Sequence, residues 1–434
     1  MTRIRFGLSI FVAIAVCTGV VETRLAAQTT IAAAEARQIV LLAPTGSDAA
    51  DREIANWQKR IAEKPANSPY WERLGWAYIA KARLTQDAGY YKLAELTATA
   101  WQAACGTNLD AQLLQGHVDH NLHRFKAAEA IARSLISQRK SPADYGLLSD
   151  SLMEQGQLEE AVTTCQTLCD LRPGVEAFTR IAHLRLLFGD LNGAVDAMES
   201  AIRAGDPRDV ESRAWMYSRL AGYKLLAGQP QQALVCADKA LAGAPHHPLA
   251  LAMKGRALHS LGDNPNATLA FREAAVLNPI PDNQWWLADL LKTQGKPDEA
   301  TAVEKLILRQ GAATDPRTTA LFLATREEKL DQATRLATDE LQNRQDVFTH
   351  DAVAFAELRA GDAQAAAAET KLASARHTSD PRLALHAGLI AEALGDRGEA
   401  TRCYIRANAM SALLTPSEFE LLAQHSTAHV AATP

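Results

Sequence analysis

The sequence is poor in aromatic residues and lacks the short motifs of common catalytic sites. Aromatic side chains make up 6% of its 434 residues. It contains no Gly-x-x-x-x-Gly-Lys phosphate loop, no Gly-x-Ser-x-Gly nucleophile elbow and no His-Glu-x-x-His zinc helix. The acidic pairs at 159–160 and 327–328 fall in or beside predicted turns, where solvated carboxylates are the ordinary case. We therefore expect a protein that is not an enzyme and uses no cofactor.

Clusters of basic residues are also lacking. The formal net charge is −5 at pH 7, and Lys and Arg form no run or stripe. Nucleic-acid binding needs clustered Lys and Arg to neutralise phosphates. We therefore expect no nucleic-acid partner.

Cysteine is scarce, with six residues in the chain, of which five follow residue 27. An odd number argues against a full disulfide framework in an oxidising compartment. Cys165 and Cys169 stand one helical turn apart. We expect Cys165 to be buried as a small apolar side chain, and a strained bridge or a metal half-site is the alternative.

The abundant feature is a regular spacing of glycine. Seven glycines recur at intervals of 33, 39, 34, 33, 66 and 34 residues, where 66 is two periods of 33, and an alanine follows each by five residues. This period is typical of paired helices stacked as a solenoid, in which each unit buries its apolar face against the next. The glycines are Gly156, Gly189, Gly228, Gly262, Gly295, Gly361 and Gly395.

The clearest copy of the unit covers residues 248–281. Gly255 lies on the inner side of its first predicted helix, and Gly262 ends that helix because glycine adopts the left-handed conformation easily. Ala267 and Phe271 belong to the buried stripe of the second helix. The small residues allow the two helices to approach closely, and Phe271 fills the space toward the neighbouring unit.

This order of small, small, aromatic and small residues, closed by proline, resembles the tetratricopeptide repeat. The resemblance covers most of the chain and implies an all-α fold, a right-handed α-solenoid of about ten helix-turn-helix units. His123 and Glu328 stand at the turn of the second and eighth units in place of glycine. The units are predicted to start near Ser68, Leu109, Pro142, Val175, Ala214, Pro248, Pro281, Thr314, Val347 and Pro381.

Residues 1–27 are predicted to be an export signal of the bacterial type. Arg3 and Arg5 precede an uncharged, mainly apolar stretch at 6–21, and small residues follow at Ala26 and Ala27. We expect cleavage after Ala27 and a periplasmic or secreted protein; the alternative is an uncleaved segment that anchors the protein to the membrane. Residues 28–67 then form a leader and an N-terminal capping helix, 68–410 the repeat array, and 411–434 a C-terminal capping helix and tail.

The resemblance implies a concave groove lined by the first helix of each unit. Aromatic rings among charged groups at these positions suit an extended peptide, with the rings as anchors and the charges setting its register. We therefore predict a scaffold or adaptor that binds a protein or peptide. The groove positions are Trp76, His117, His120, His183, Trp215, Arg256, His259, Trp285, Asp289, Lys292, Phe322, Arg326, Phe355 and Arg359.

A histidine cluster supports a second hypothesis, a metal-binding or metal-delivery accessory protein. His117, His120 and His123 are spaced by three residues, which places them along one side of a helix, and Asp119 could complete a metal shell. The competing interpretation is that His117 and His120 face the groove while His123 replaces the turn glycine.

Overall fold

The computed structural model describes residues 32–85 and 87–431, and this part of the chain contains helices and no strands. Two helices precede ten successive helix pairs, and one helix follows them. The helices are α1 (Ala33–Val40), α2 (Ala49–Glu63), α3 (Ser68–Thr85), α4 (Gly89–Cys105), α5 (Leu109–Asn121), α6 (Phe125–Gln138), α7 (Pro142–Glu154), α8 (Leu158–Leu171), α9 (Val175–Leu187), α10 (Leu191–Ala204), α11 (Val210–Leu226), α12 (Pro230–Gly243), α13 (Pro248–Ser260), α14 (Asn264–Leu277), α15 (Pro281–Thr293), α16 (Pro297–Thr314), α17 (Pro316–Arg326), α18 (Leu330–Leu341), α19 (Val347–Arg359), α20 (Ala363–Ala373), α21 (Pro381–Ala393), α22 (Arg397–Ala409) and α23 (Pro416–Ala431).

The ten pairs run from α3 and α4 to α21 and α22, which confirms the predicted all-α repeat solenoid. The first helix of eight pairs begins at the residue expected from the sequence. The fifth begins at Val210 and the eighth at Pro316, each within a few residues of the expected start. Within a pair the two helices pack on each other, and each pair packs on its neighbours.

Left-handed backbone conformations mark the turns inside the pairs. All seven repeat glycines have positive φ, between 68° and 96°. His123 takes the same role with a φ of 59°. In the eighth pair the positive φ falls on Glu327 (55°) and Lys329 (48°), the two neighbours of the predicted Glu328.

Close approach explains the small residue in the first helix. A Cβ on Gly255 would lie 2.6 Å from the ring of Phe271, and a Cβ on Gly388 would lie 2.5 Å from the ring of Tyr404. The aromatic side chain of the second helix thus occupies the space that a larger residue would need. Cys165 occupies the corresponding position in the third pair and is buried with a free thiol, as predicted, and burial raises its pKa to about 11.

The segment before the array is docked on it. Helix α1 packs against α4, and Val40 is fully buried. The Val40 carbonyl oxygen accepts hydrogen bonds from Gln58 Nε2 (2.9 Å) and from the Tyr78 hydroxyl (2.8 Å). Helix α2 begins with a capping box between Asp48 and Asp51 and packs on α3. This N-terminal segment therefore covers the open side of the first pair.

The solenoid curls back on itself. The backbone N–H of Gln345, between α18 and α19, donates to the carbonyl oxygen of Glu154 at the end of α7 (3.0 Å). One pair later, Thr378 Oγ1 donates to the carbonyl oxygen of Leu187 at the end of α9 (2.7 Å). The connections after the eighth and ninth pairs therefore lie against the third and fourth pairs.

Among the described residues, no helix has both the length and the apolar character needed to cross a bilayer. The predicted export signal at 1–27 lies outside the described residues, and it stays a prediction.

Candidate binding surface

We call the surface formed by the first helices of the pairs the inner face. The fourteen predicted groove residues differ widely in exposure. Trp215 and Lys292 are exposed; Trp285, Asp289, Phe322 and Phe355 are buried; and Trp76, His117, His120, His183, Arg256, His259, Arg326 and Arg359 are half-buried. The position of a residue within the repeat does not by itself account for these differences in exposure.

Aromatic contacts organise the inner face of the first two pairs. The Trp76 and His117 rings meet edge to face with centroids 5.0 Å apart. His120 and His123 contact the Phe125 ring instead, at 5.3 and 5.5 Å. Burial lowers the pKa of His117 to about 3 and that of His123 to about 4, because an imidazolium loses its hydration there. Both imidazoles are therefore neutral at pH 7.

These contacts give the metal hypothesis no support. Within the described part of the chain, no group of three or more His, Cys, Asp and Glu side chains is placed to hold a metal ion. Asp119, the fourth predicted ligand, accepts from Arg124 Nη1 (3.1 Å) and Gln115 Nε2 (3.2 Å) instead. The spacing of three residues placed the histidines near one another along the helix, but their side chains do not converge on a common metal position.

An ion pair joins the third and fourth pairs on the inner face. Arg180 donates from Nε and Nη2 to the two carboxylate oxygens of Asp150, at 2.8 and 2.5 Å. Although burial alone raises the pKa of Asp150, the Arg180 guanidinium outweighs it and lowers that pKa below its usual range. Burial, together with the charge of Arg219, lowers the pKa of His183 to about 4. The phase of the repeat could indicate Arg180, although we did not predict it.

A second charged cluster lies between the sixth, seventh and tenth pairs. Asp282 pairs with Arg256 and lies 3.6 Å from Arg382 Nη2. Arg382 Nε donates to Glu418 Oε1 at 2.5 Å, and its guanidinium stands 5.3 Å from the centre of the Trp285 ring. This cluster brings together side chains that are up to 162 positions apart in the sequence.

A segment that does not belong to any repeat covers the inner face at this cluster. We call residues 410–418, the link from α22 to α23 together with the first three residues of α23, the closing segment. Its 3₁₀ turn, Ser411–Leu413, packs against α11 and α13. Trp285 Nε1 donates to Ser417 Oγ (3.1 Å), and the Ser417 backbone N–H donates to Asp289 Oδ2 (2.9 Å). Two predicted groove residues thus bind polypeptide, and it comes from the same chain.

The start of α23 holds the closing segment in shape. The Thr415 backbone N–H donates to Glu418 Oε2 (2.8 Å), and the Glu418 N–H donates to Thr415 Oγ1 (3.3 Å), which is a capping box. Both side chains are fully buried. The sequence predicted a capping helix within 411–434, but nothing in it indicated that the start of this helix would reach α15.

Trp286, next to Trp285, packs inside the solenoid. Its ring stacks on Phe271, with centroids 5.1 Å apart and an angle of 6° between the planes. Trp285 instead meets Phe322 edge to face at 5.6 Å. Neighbouring residues on a helix diverge by about 100°, so the two rings serve different surfaces.

No protein-family model matches the sequence, and no curated protein matches it either. Solved structures are similar in fold at low identity. The human IFIT1 dimer with PPP-AAAA matches at 13% identity, over 87% of this chain and 94% of that chain, with a TM-score of 0.47. A tetratricopeptide repeat protein from Parabacteroides merdae matches at 16% identity, over 59% of this chain and 98% of that chain, with a TM-score of 0.33.

The APC/C hetero-tetramer Cut9–Hcn1 matches at 11% identity, over 89% of this chain and 98% of that chain, with a TM-score of 0.36. Likeness at this level does not bear on what the protein binds.

Proposed function

We propose that the protein is a non-catalytic scaffold that binds a protein or peptide on the inner face of its solenoid. One observation carries the proposal: Trp285 and Asp289, two residues predicted as partner contacts, hold a non-repeat segment of polypeptide through side-chain hydrogen bonds. A surface that binds one segment of polypeptide has the donors, acceptors and rings to bind another.

Trp215 lies on a part of the inner face that is open to solvent. It lies on α11, one helical turn before Arg219, and the charge of Arg219 helps to lower the pKa of His183 on α9. Its side chain is 37% exposed, whereas Trp285 is fully buried. Exposed tryptophan is a frequent anchor in protein interfaces, and we propose that a partner covers it.

A photo-crosslinking amino acid at position 215 tests the proposal. The matched control places the same group at Val276, which is 77% exposed on the second helix α14. We expect position 215 to capture a defined polypeptide that position 276 does not. With the captured partner purified, Trp215→Ala should weaken binding by about tenfold or more. Equal capture at both positions, or none at 215, would contradict the proposal.

The arginines of the inner face bear on the predicted absence of a nucleic-acid partner. Arg180, Arg256, Arg317, Arg326 and Arg382 each pair with at least one carboxylate. Paired guanidinium groups are less available to phosphates. A gel-shift titration with single-stranded oligonucleotides at low salt checks this, and we expect no salt-sensitive complex.

The proposal also places the protein outside the cytoplasm, on the basis of residues 1–27. N-terminal sequencing of the native protein should find a start close to residue 28. An intact Met1 in a soluble cytoplasmic pool would contradict this location, and an intact Met1 in the membrane fraction would support the anchored alternative.

A further inference from the structure

The closing segment lies on the inner face as a bound peptide would. Its 3₁₀ turn contacts α11 and α13, and Ser417 contacts α15, so it meets the first helices of three successive pairs.

The contacts of the closing segment are both apolar and polar. Ala412 and Leu413 pack against the hydrophobic core of the fourth to seventh pairs, and Leu414 is buried. Four residues after Leu414, Glu418 binds Arg382. A ligand of this site therefore needs neighbouring aliphatic side chains followed by a carboxylate on the first turn of a helix.

The charged cluster shows that the closing segment satisfies this site only in part. Glu418 is the carboxylate that the segment contributes, and Asp282 is the one that the inner face contributes. In the described structure, Arg256 Nε and Arg382 Nη2 are buried without a hydrogen-bond acceptor. Without Glu418, Asp282 would be the ion-pair partner that Arg256 and Arg382 share among the described residues, while Asp380 acts on Arg382 only through its charge at longer range. Any segment that replaces the closing segment must therefore bring at least one carboxylate.

We propose that the closing segment is an intramolecular ligand, and that the partner displaces it with an acidic segment of the same pattern, two neighbouring aliphatic residues and a carboxylate about four residues later. This rests on the proposed function, since it requires that the inner face binds polypeptide. It adds the chemistry of the partner and a competition that regulates access to the site.

A labelled synthetic peptide of residues 408–420 tests the proposal on the full-length protein. Glu418→Gln weakens the hold of the closing segment, so this variant should bind the peptide about tenfold more tightly than the parent protein does, because a larger fraction of the molecules has an open site. The control peptide carries glutamine in place of the glutamate at position 418. It should bind the variant about tenfold more weakly. Equal affinity for the two peptides would overturn the proposal.

Hydrogen exchange on the unmodified protein gives a second readout that does not depend on the variant's folding. Excess peptide should speed exchange at the amides of 411–418 and leave the amides of α13 unchanged. If Glu418→Gln lowers the melting temperature, Leu413→Ala, which trims a half-buried side chain, takes its place. Unchanged exchange at 411–418 would overturn the proposal.

The outcomes separate this proposal from the proposed function. Capture of a partner at position 215 together with no effect of the 408–420 peptide on that partner would leave the scaffold function intact and overturn the competition. Failure of capture at 215 would contradict the scaffold function itself. A concentration-dependent dimer of the parent protein that the peptide dissolves would make a second copy the occupant and would overturn the assignment to a different partner.

Discussion

Two parts of the solenoid share one repeat pattern but have different surroundings. Gly156 and Gly262 each follow a first helix with positive φ, 70° and 83°. A Cβ on Gly262 would meet no atom within 4 Å, whereas one on Gly156 would lie 2.3 Å from the Gln345 carbonyl oxygen. Trp215 and Trp285 differ in the same way, since only Trp285 is covered. The repeat thus determines the local conformation, and the curling of the whole array determines what each position touches.

The tryptophan pair should show this difference most strongly. Trp285→Ala removes a ring packed on Phe322 and Arg382 together with the hydrogen bond that the ring N–H donates to Ser417, so we expect a loss of about 3–5 kcal/mol in the free energy of unfolding. Trp215→Ala should cost less than about 1 kcal/mol, because its ring is already partly in water. Denaturant unfolding of both variants measures the difference. Equal losses of unfolding free energy in the two variants would contradict the difference in burial between Trp285 and Trp215.

The glycine pair tests the covered turns directly. Gly262→Ala should cost about 1–2 kcal/mol, which is the strain of a left-handed alanine. Gly156→Ala carries the same strain and also an overlap with the Gln345 carbonyl oxygen, which adds about 1–3 kcal/mol. Thermal melts of the two variants compare them. Similar melting temperatures would show that the close approach of Gln345 to Gly156 contributes little to stability.

The local pattern was sufficient to predict the fold, and the long-range closure was not predictable. A small residue and an aromatic residue at the positions of Gly255 and Phe271 specify a close hairpin in each unit that has them. The periodicity of such positions therefore predicts the pair boundaries within a few residues. The hydrogen bond from Gln345 to Glu154 depends on small rotations summed over five pairs, and no single residue carries that information.

As with the fold, the sequence predicted the local arrangement of the site but not its long-range contacts. Phase placed Trp285 and Asp289 on the inner face, because the period of the repeat sets the direction of a side chain. It could not show that Ser417 would occupy that face, since the closing segment lies outside the repeat and is 132 residues from Trp285.

Acid should lower the stability of the folded protein through His183. Its folded pKa of about 4 lies below the ordinary value of about 6.5, so the folded state binds fewer protons than the unfolded state between these pH values. Stability is full above pH 6.5 and falls toward pH 4, by at most about 1.4 kcal/mol per pH unit for this group. His183→Gln should reduce the difference between unfolding free energies at pH 7 and pH 5. An unchanged difference would contradict the lowered pKa of His183 in the folded protein.

The smallest expected effect concerns the turn of the eighth pair, where lysine takes the place that glycine suits. Lys329, the residue before α18, has a φ of 48°, while Lys296, at the same position before α16, has a φ of −112°. Lys329→Gly removes the strain of a left-handed side chain, and we expect a gain of up to about 1 kcal/mol after the added flexibility of the unfolded chain is taken into account. Lys296→Gly adds only that flexibility and should lose a few tenths of a kcal/mol. Both side chains are exposed, so packing does not confuse the result. Opposite signs in denaturant unfolding would show that the turn without glycine carries a backbone strain at Lys329 that the glycine turn before α16 does not carry, and losses in both variants would contradict it.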